Sequence, residues 1–137
     1  MGFENFGTVS YTAESKTAEF IDYLQQGKVM TTRCKKCGTA YFPPKMDCPS
    51  CMDSEVEWFE IKNSGRLVTY TVVHYGPSGF EDEAPYTLGI GEFEGGLRVF
   101  GRLSKSIEES DIKTGMGIKV VPAKLPGDRI SYEFIKA

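Results

Sequence analysis

Cys34, Cys37, Cys48 and Cys51 stand in the order C-x2-C-x10-C-x2-C, and they are all the cysteines of the chain. Each C-x2-C pair places two thiolates at one turn, and the excursion between the pairs lets the second turn fold back on the first. Gly38 follows Cys37, and Pro49 lies between Cys48 and Cys51; both suit tight knuckles, since glycine tolerates positive φ and proline presets a turn. Four soft thiolates in a tetrahedron suit one zinc ion per chain. A catalytic zinc keeps a position open for water or substrate, whereas four cysteines close the shell, so the expected metal is structural. A module of roughly 25 residues has almost no apolar core of its own, and metal binding has to supply its folding energy.

The 137 residues and net charge of −3 fit one domain, or a small module joined to a core of roughly 80 residues. No apolar run approaches the ~20 residues of a membrane span. The first residues, MGFENFGTVSYTAESK, have neither a basic nor an apolar secretory region. A myristoylation reading of Gly2 fails at Phe6, where Ser or Thr is needed. These features predict a cytoplasmic protein, where reduced thiols favour a metal over disulfides. A single histidine, His74, with every cysteine committed to metal, leaves no Cys–His dyad and no multi-histidine site. His74 itself reads as a strand-end or interface residue, since a general acid or base needs a partner that the sequence does not reveal.

Three segments follow along the chain. Residues 1–27 hold a mixed start and then a helix predicted from Ala13 to Gln26, in which Thr17, Phe20, Ile21 and Leu24 share one face. Glu14 favours the first turn, and Gly27 is the stop. Residues 28–56 form the zinc ribbon. Residues 57–137 read as short strands: Leu67–Tyr75, Thr87–Phe93, Leu97–Leu103, Gly117–Val121 and Ile130–Ile135. Glu94-Gly95-Gly96 is a hairpin turn between two of them, and residues 75–85 are an acidic loop rich in Gly and Pro. Gly65, Gly89, Gly91 and Gly101 interrupt strand-like runs as bulges or barrel corners would. The predicted fold is mainly β: an N-terminal helix, a four-cysteine zinc ribbon, then a five-stranded antiparallel barrel of OB type.

Charge is unevenly spread. Lys28, Arg33, Lys35, Lys36 and Lys45 fall in a stretch without acids, and Asp47, Asp53, Glu55, Glu57 and Glu60 in one without bases. The cations can offset the double negative charge of a zinc tetrathiolate, or can also meet an external anion such as a phosphate. A ribbon joined to an OB barrel invites a single-stranded nucleic-acid reading. Against it, residues 57–137 carry 12 acids and 10 bases, and Glu81–Glu94 holds five acids and no base, which a phosphate backbone would oppose. Tyr70, Tyr75, Tyr86, Phe93 and Phe100 could stack bases, but at strand spacing they read as core or hairpin pairs. An iron-only electron carrier is a third reading of the four thiolates.

The segments LQQGKV, TTRCKKCGTAYFPPKMDCPSC, EWFEIKNSGRLVTYTVVH, PYTLGIGEFEGGLRVFGRL and IKTGMGIKVV together resemble the domain-of-unknown-function thirty-five family. The resemblance covers roughly residues 18–135, with the acidic loop at 79–85 unmatched. It implies a rubredoxin-like zinc ribbon and an OB fold, and a small partner of an acyl-CoA enzyme. That enzyme is often a thiolase-like catalytic subunit, as in the two-component thiolases of anaerobic aromatic degradation, and sometimes a hydratase or aldolase. It further implies a structural zinc, catalytic residues on the other chain, and a docking or lid role beside the acyl-CoA channel. Arg33, Lys35, Lys36 and Lys45 become candidates for the phosphates of CoA, and the helix face Phe20, Ile21 and Leu24, with the aromatic barrel face, for docking.

Overall fold

The computed structural model describes residues 2–9 and 15–137. Among the described residues one α-helix, α1 (Glu19–Gln25), precedes eight strands: β1 (Met30–Cys34), β2 (Ala40–Tyr41), β3 (Val56–Glu60), β4 (Gly65–Val73), β5 (Tyr86–Phe93), β6 (Leu97–Arg102), β7 (Gly117–Leu125) and β8 (Arg129–Lys136). Helix α1 is shorter than its apolar pattern suggested. Thr17 and Ala18 form a turn, and the expected start at Ala13 and the first-turn Glu14 lie outside the described residues. The C-terminal stop is as expected: Gly27 adopts φ +86°, and the N–H of Lys28 returns to the Tyr23 carbonyl at 2.9 Å. No helix among the described residues is long and apolar enough to cross a membrane.

The strands form two antiparallel sheets, β2-β1-β3 and β6-β5-β4-β7-β8. The five-stranded sheet curls into a nearly closed barrel. Its open side is drawn together by a bridge between Leu103 and Phe134 and a 2.8 Å bond from the Ser104 N–H to the Phe134 carbonyl. Strand β8 meets a second segment near its start, where Phe6 bridges Ile130 and the Gly7 N–H bonds the Ile130 carbonyl at 2.7 Å. Arg129 donates to the Gly7 carbonyl at 2.6 Å.

Alternation fills the barrel. In β6, Leu97, Val99 and Gly101 point inward while Arg98 and Phe100 point out. Opposite them in β5, Phe93, Gly91 and Gly89 are inward. The glycines act here as gaps left for neighbours: a Cβ on Gly91 would lie 2.6 Å from the Ile118 Cδ1, and one on Gly89 2.8 Å from the Leu67 Cδ1. The sheet's one irregularity instead falls between Leu67 and Thr69 of β4. Gly65 is the most constrained of the set, because its Cβ would come within 2.4 Å of the Glu92 main-chain oxygen. Gly65→Ala is expected to cost roughly 1–3 kcal/mol, more than Gly91→Ala, whose clash is with a movable methyl. Urea melts of the two variants check the order.

The buried core runs from Phe20, Ile21 and Leu24 of α1 through Val29 and Ile61 to Leu67, Val99, Ile118 and Phe134 of the barrel. Phe20 stacks in an aromatic cluster with Phe3, Phe6, Phe42 and Tyr132, at centroid distances of 6.0–6.4 Å. The acidic loop is pinned too. Glu83 accepts from Thr8 at 2.9 Å and from Arg102 at 3.1 and 3.3 Å, and Arg102 lies 4.6 Å from the Tyr86 ring centre. The Arg102 hydrogen bond holds the Glu83 carboxyl below the usual carboxylate range. A depressed folded-state value contributes stability above the unfolded value, lost as pH falls through the folded one. Melting temperature is therefore expected to drop more between pH 5 and pH 3 in the wild type than in Glu83→Gln; parallel acid limbs would refute the linkage.

Candidate metal centre and its surroundings

Strand β1 ends on Cys34, and two knuckles of the same design close around it. In the first, the Gly38 N–H bonds the Cys34 carbonyl at 2.9 Å; in the second, the Met52 N–H bonds the Cys48 carbonyl at 2.8 Å. The Lys35 N–H reaches the Glu55 carbonyl at 3.0 Å and ties one knuckle to the other. The four Sγ atoms all lie within 4.8 Å of one another, with Cys34–Cys51 at 3.4 Å and Cys37–Cys48 at 3.5 Å. A tetrahedron with Zn–S bonds of about 2.3 Å has edges of about 3.8 Å, so the cage fits a zinc ion. The separations are well beyond the ~2.05 Å of a disulfide. Cys34 and Cys48 are buried, Cys51 is half-buried and Cys37 is exposed.

Supporting groups surround the thiolates. The Tyr41 hydroxyl lies 3.2 Å from the Cys48 Sγ, and this hydrogen bond is the main reason the Cys48 thiol is lowered to about 6. Thr31 and Thr32 are both fully buried. Thr31 donates to the Tyr41 carbonyl. Thr32 donates to the Lys45 carbonyl at 2.7 Å and accepts the Lys45 N–H at 2.8 Å. The pair fastens the excursion between the cysteine pairs onto β1. Sequence reasoning passed over them; the signal was two adjacent hydroxyls in a strand, which bury on both faces only if both find partners.

The fold separates the four cations. Lys45 sits over the Tyr41 ring at 5.5 Å, and Tyr41 is the cross-strand neighbour of Thr32. Arg33, the next residue along β1, projects to the opposite face. Its guanidinium lies 4.2 Å from the Phe59 ring centre and 3.8 Å from Glu57. There it lines a cleft of about 380 Å³ with Phe59, Glu60, Lys62, Asn63 and Glu94. Lys35 and Lys36 are exposed on the first knuckle. No single anion patch gathers all four.

Two other expectations meet the structure differently. The helix face of Phe20, Ile21 and Leu24 is 3, 1 and 1 % exposed, so the surface expected to meet a partner instead covers this chain's own barrel. The aromatic barrel residues divide. Tyr86 and Phe93 are core, while Tyr70, Tyr75 and Phe100 are exposed. Phe100 pairs with Ile90 on the outer face, beside a ladder in which Glu92 bonds Arg66 at 2.8 Å and Arg98 at 3.5 Å. His74 lies exposed in the bend after β4.

Comparison with known proteins bears on all of this. Residues 22–57 match the family model for the rubredoxin-like zinc ribbon domain of ChsH2, and residues 58–122 that for its C-terminal OB-fold domain. A DUF35 domain-containing scaffold protein of Methanocaldococcus jannaschii is 39 % identical over 97 residues, 70 % of this chain and 68 % of that one. A benzoylsuccinyl-CoA thiolase subunit, BbsA, of Thauera aromatica is 35 % identical over 71 residues, 52 % of this chain and 48 % of its own. A solved structure described as an Ltp2-ChsH2(DUF35) aldolase superposes with a TM-score of 0.75 at 24 % identity, covering 92 % of this chain and 98 % of that one, and so shares the fold.

Proposed function

Because the chain belongs to the DUF35 family of zinc-ribbon and OB-fold scaffold proteins, we propose that it is a non-catalytic accessory subunit of a thiolase-type acyl-CoA enzyme. In this reading it docks a thiolase-like catalytic subunit in the cytoplasm and shapes the entrance through which the acyl-CoA arrives. The observation that carries it is how the chain spends its reactive groups. All four thiols face one another inside a closed cage, and the single histidine lies exposed and away from them at a strand end. That inventory supports a brace and a docking surface, with the reacting groups on another chain. Cys34, Cys37, Cys48 and Cys51 hold one structural zinc.

The docking surface in this reading is the outer barrel face around Phe100 and Ile90, apolar area that a partner would cover. For CoA phosphates, Arg33 is the one of the four cations that lines a cleft with a second base, Lys62; Glu60 and Glu94 line it too, so a phosphate there has to draw Arg33 away from Glu57. Co-expression with a thiolase-type subunit is expected to give a stable complex, and Arg33→Glu with Lys62→Glu to weaken CoA-ester binding by about tenfold in that complex. If no complex forms, and the chain alone binds no CoA ester, the reading fails. Recovery of a hydratase or aldolase subunit would move the assignment to that enzyme class.

A further inference from the structure

Strand β4 parts from β7 almost as soon as the two meet. It keeps β5 from Arg66 to Val73, but β7 only at Gly65 and Arg66. Leu67 makes the last bonds on that side: its N–H reaches the Met116 carbonyl at 2.9 Å, and its carbonyl accepts the Gly115 N–H at 2.7 Å. From Thr69 to Val73 that edge has no main-chain partner among the described residues. Thr69, Tyr70 and Thr71 are exposed, and Tyr75, just beyond, is 93 % exposed.

Open strand edges are normally blunted by charge, proline, bulges or brevity. β7, which loses β4 at the same point, carries Lys119, Pro122 and Lys124. β3, paired only with β1, carries Glu57 and Glu60. β2 is two residues long. The stretch Thr69–Val73, TYTVV, has none of these devices. The β4 bulge lies before it, between Leu67 and Thr69, and from there each residue opposes one of β5.

We propose that this edge pairs antiparallel with the same edge of a second copy of the chain, about a two-fold axis beside Thr71. Thr71 then meets its own copy, Tyr70 meets Val72, and Thr69 meets Val73. Hydroxyl pairs and pairs of an aromatic with a β-branched residue are favourable cross-strand neighbours. No residue between Arg66 and His74 is charged, and Arg66 is held by Glu92 at 2.8 Å. No like charges therefore meet across the axis, and a strand of either charge gains no attraction there over a second copy. The pair is closed, because each copy spends its one unblunted edge. Thr69, Ile90 and Phe100 share a row across β4, β5 and β6, so pairing sets the outer faces of two barrels side by side and leaves them open. The inference goes beyond the accessory-subunit reading and does not depend on it.

Sedimentation equilibrium of the zinc-loaded full chain tests it, in about 0.15 M salt so that the net charge of −3 is screened. Monomer and dimer are expected, and nothing larger. Five paired residues a side make an interface below the roughly 1,200 Å² of stable complexes, so the dissociation constant falls in the micromolar range. Thr71→Lys puts like charges opposite each other and is expected to weaken the dimer at least about tenfold. Thr71→Val keeps the dimer, and so does Lys119→Ala on the neighbouring edge. Amide exchange at residues 69–73 slows as the wild-type concentration rises, a readout that holds whether or not Thr71→Lys folds. A chain monomeric at every concentration overturns the inference, as does a dimer that Thr71→Lys leaves intact, or exchange at 69–73 that ignores concentration. Protection of that edge only when a different subunit binds overturns it too, and gives the edge to that subunit.

Discussion

Cys48→Ser empties the metal site and unfolds the ribbon while the barrel stays folded. The reason lies in where the apolar core is. The fully buried cluster has no member between Val29 and Ile61, so, Phe42 against Phe20 and Tyr132 apart, the residues joining the knuckles are held mainly by thiolates and the threonine clamps on β1. Zinc contributes about 10–16 kcal/mol of apparent folding free energy in small zinc modules, as much as the whole stability of an ordinary domain. Serine supplies a hard oxygen for a soft thiolate, at a ligand that is itself buried. Elemental analysis should find one zinc per wild-type chain and far less in the variant. Hydrogen exchange should lose protection at residues 34–56 and keep it in β4 to β8. A variant that retains one zinc and unchanged protection would show that the cage is not what folds the ribbon.

Phe134→Ala strikes the other half. Phe134 is fully buried, 6.1 Å from the Phe93 ring, and beneath the space left by Gly91 and Gly101. Because those glycines bring no side chains that could close in, the cavity cannot collapse, and the loss is expected near the upper part of the usual 3–5 kcal/mol for Phe→Ala. Urea unfolding measures it directly. A loss under about 1 kcal/mol would mean that the barrel repacks where the glycines are. Together the two variants separate a half held by metal from a half held by packing.

How much of this was legible in the sequence depended on whether the signal was local. The five barrel strands were readable because β-branched and aromatic runs alternate between turn residues, and Gly95 and Gly96, both at positive φ, marked the hairpin. The cage was readable because metal chemistry fixes its spacing. Which face a residue occupies once two segments meet was not readable. Phe20, Ile21 and Leu24 formed a correct apolar stripe, but a stripe does not say whether the covering surface belongs to the same chain. Arg33 and Lys45 looked like members of one basic cluster, yet Arg33 projects to the face of β1 opposite Thr32, whose neighbours Tyr41 and Lys45 lie together. The seven residues from Phe3 to Val9 carried no periodic signal, since the contacts that fix them are with segments distant in sequence: Phe20 of α1, Glu83 of the acidic loop, and Ile130 and Arg129 of β8.

Those first residues settle how β8 keeps to itself. A strand at the rim of a sheet offers unpaired amides and carbonyls to any passing chain. Here β8 is shared between two guards: Phe6 and Gly7 take the stretch around Ile130, and Leu103 and Ser104 the stretch around Phe134. Neither guard is long enough to count as a strand, but between them little templating edge is left. A chain shortened past Gly7 would keep its cage and most of its core, and would gain a sticky rim. It is expected to grow into soluble oligomers and then aggregates, long before any loss of fold.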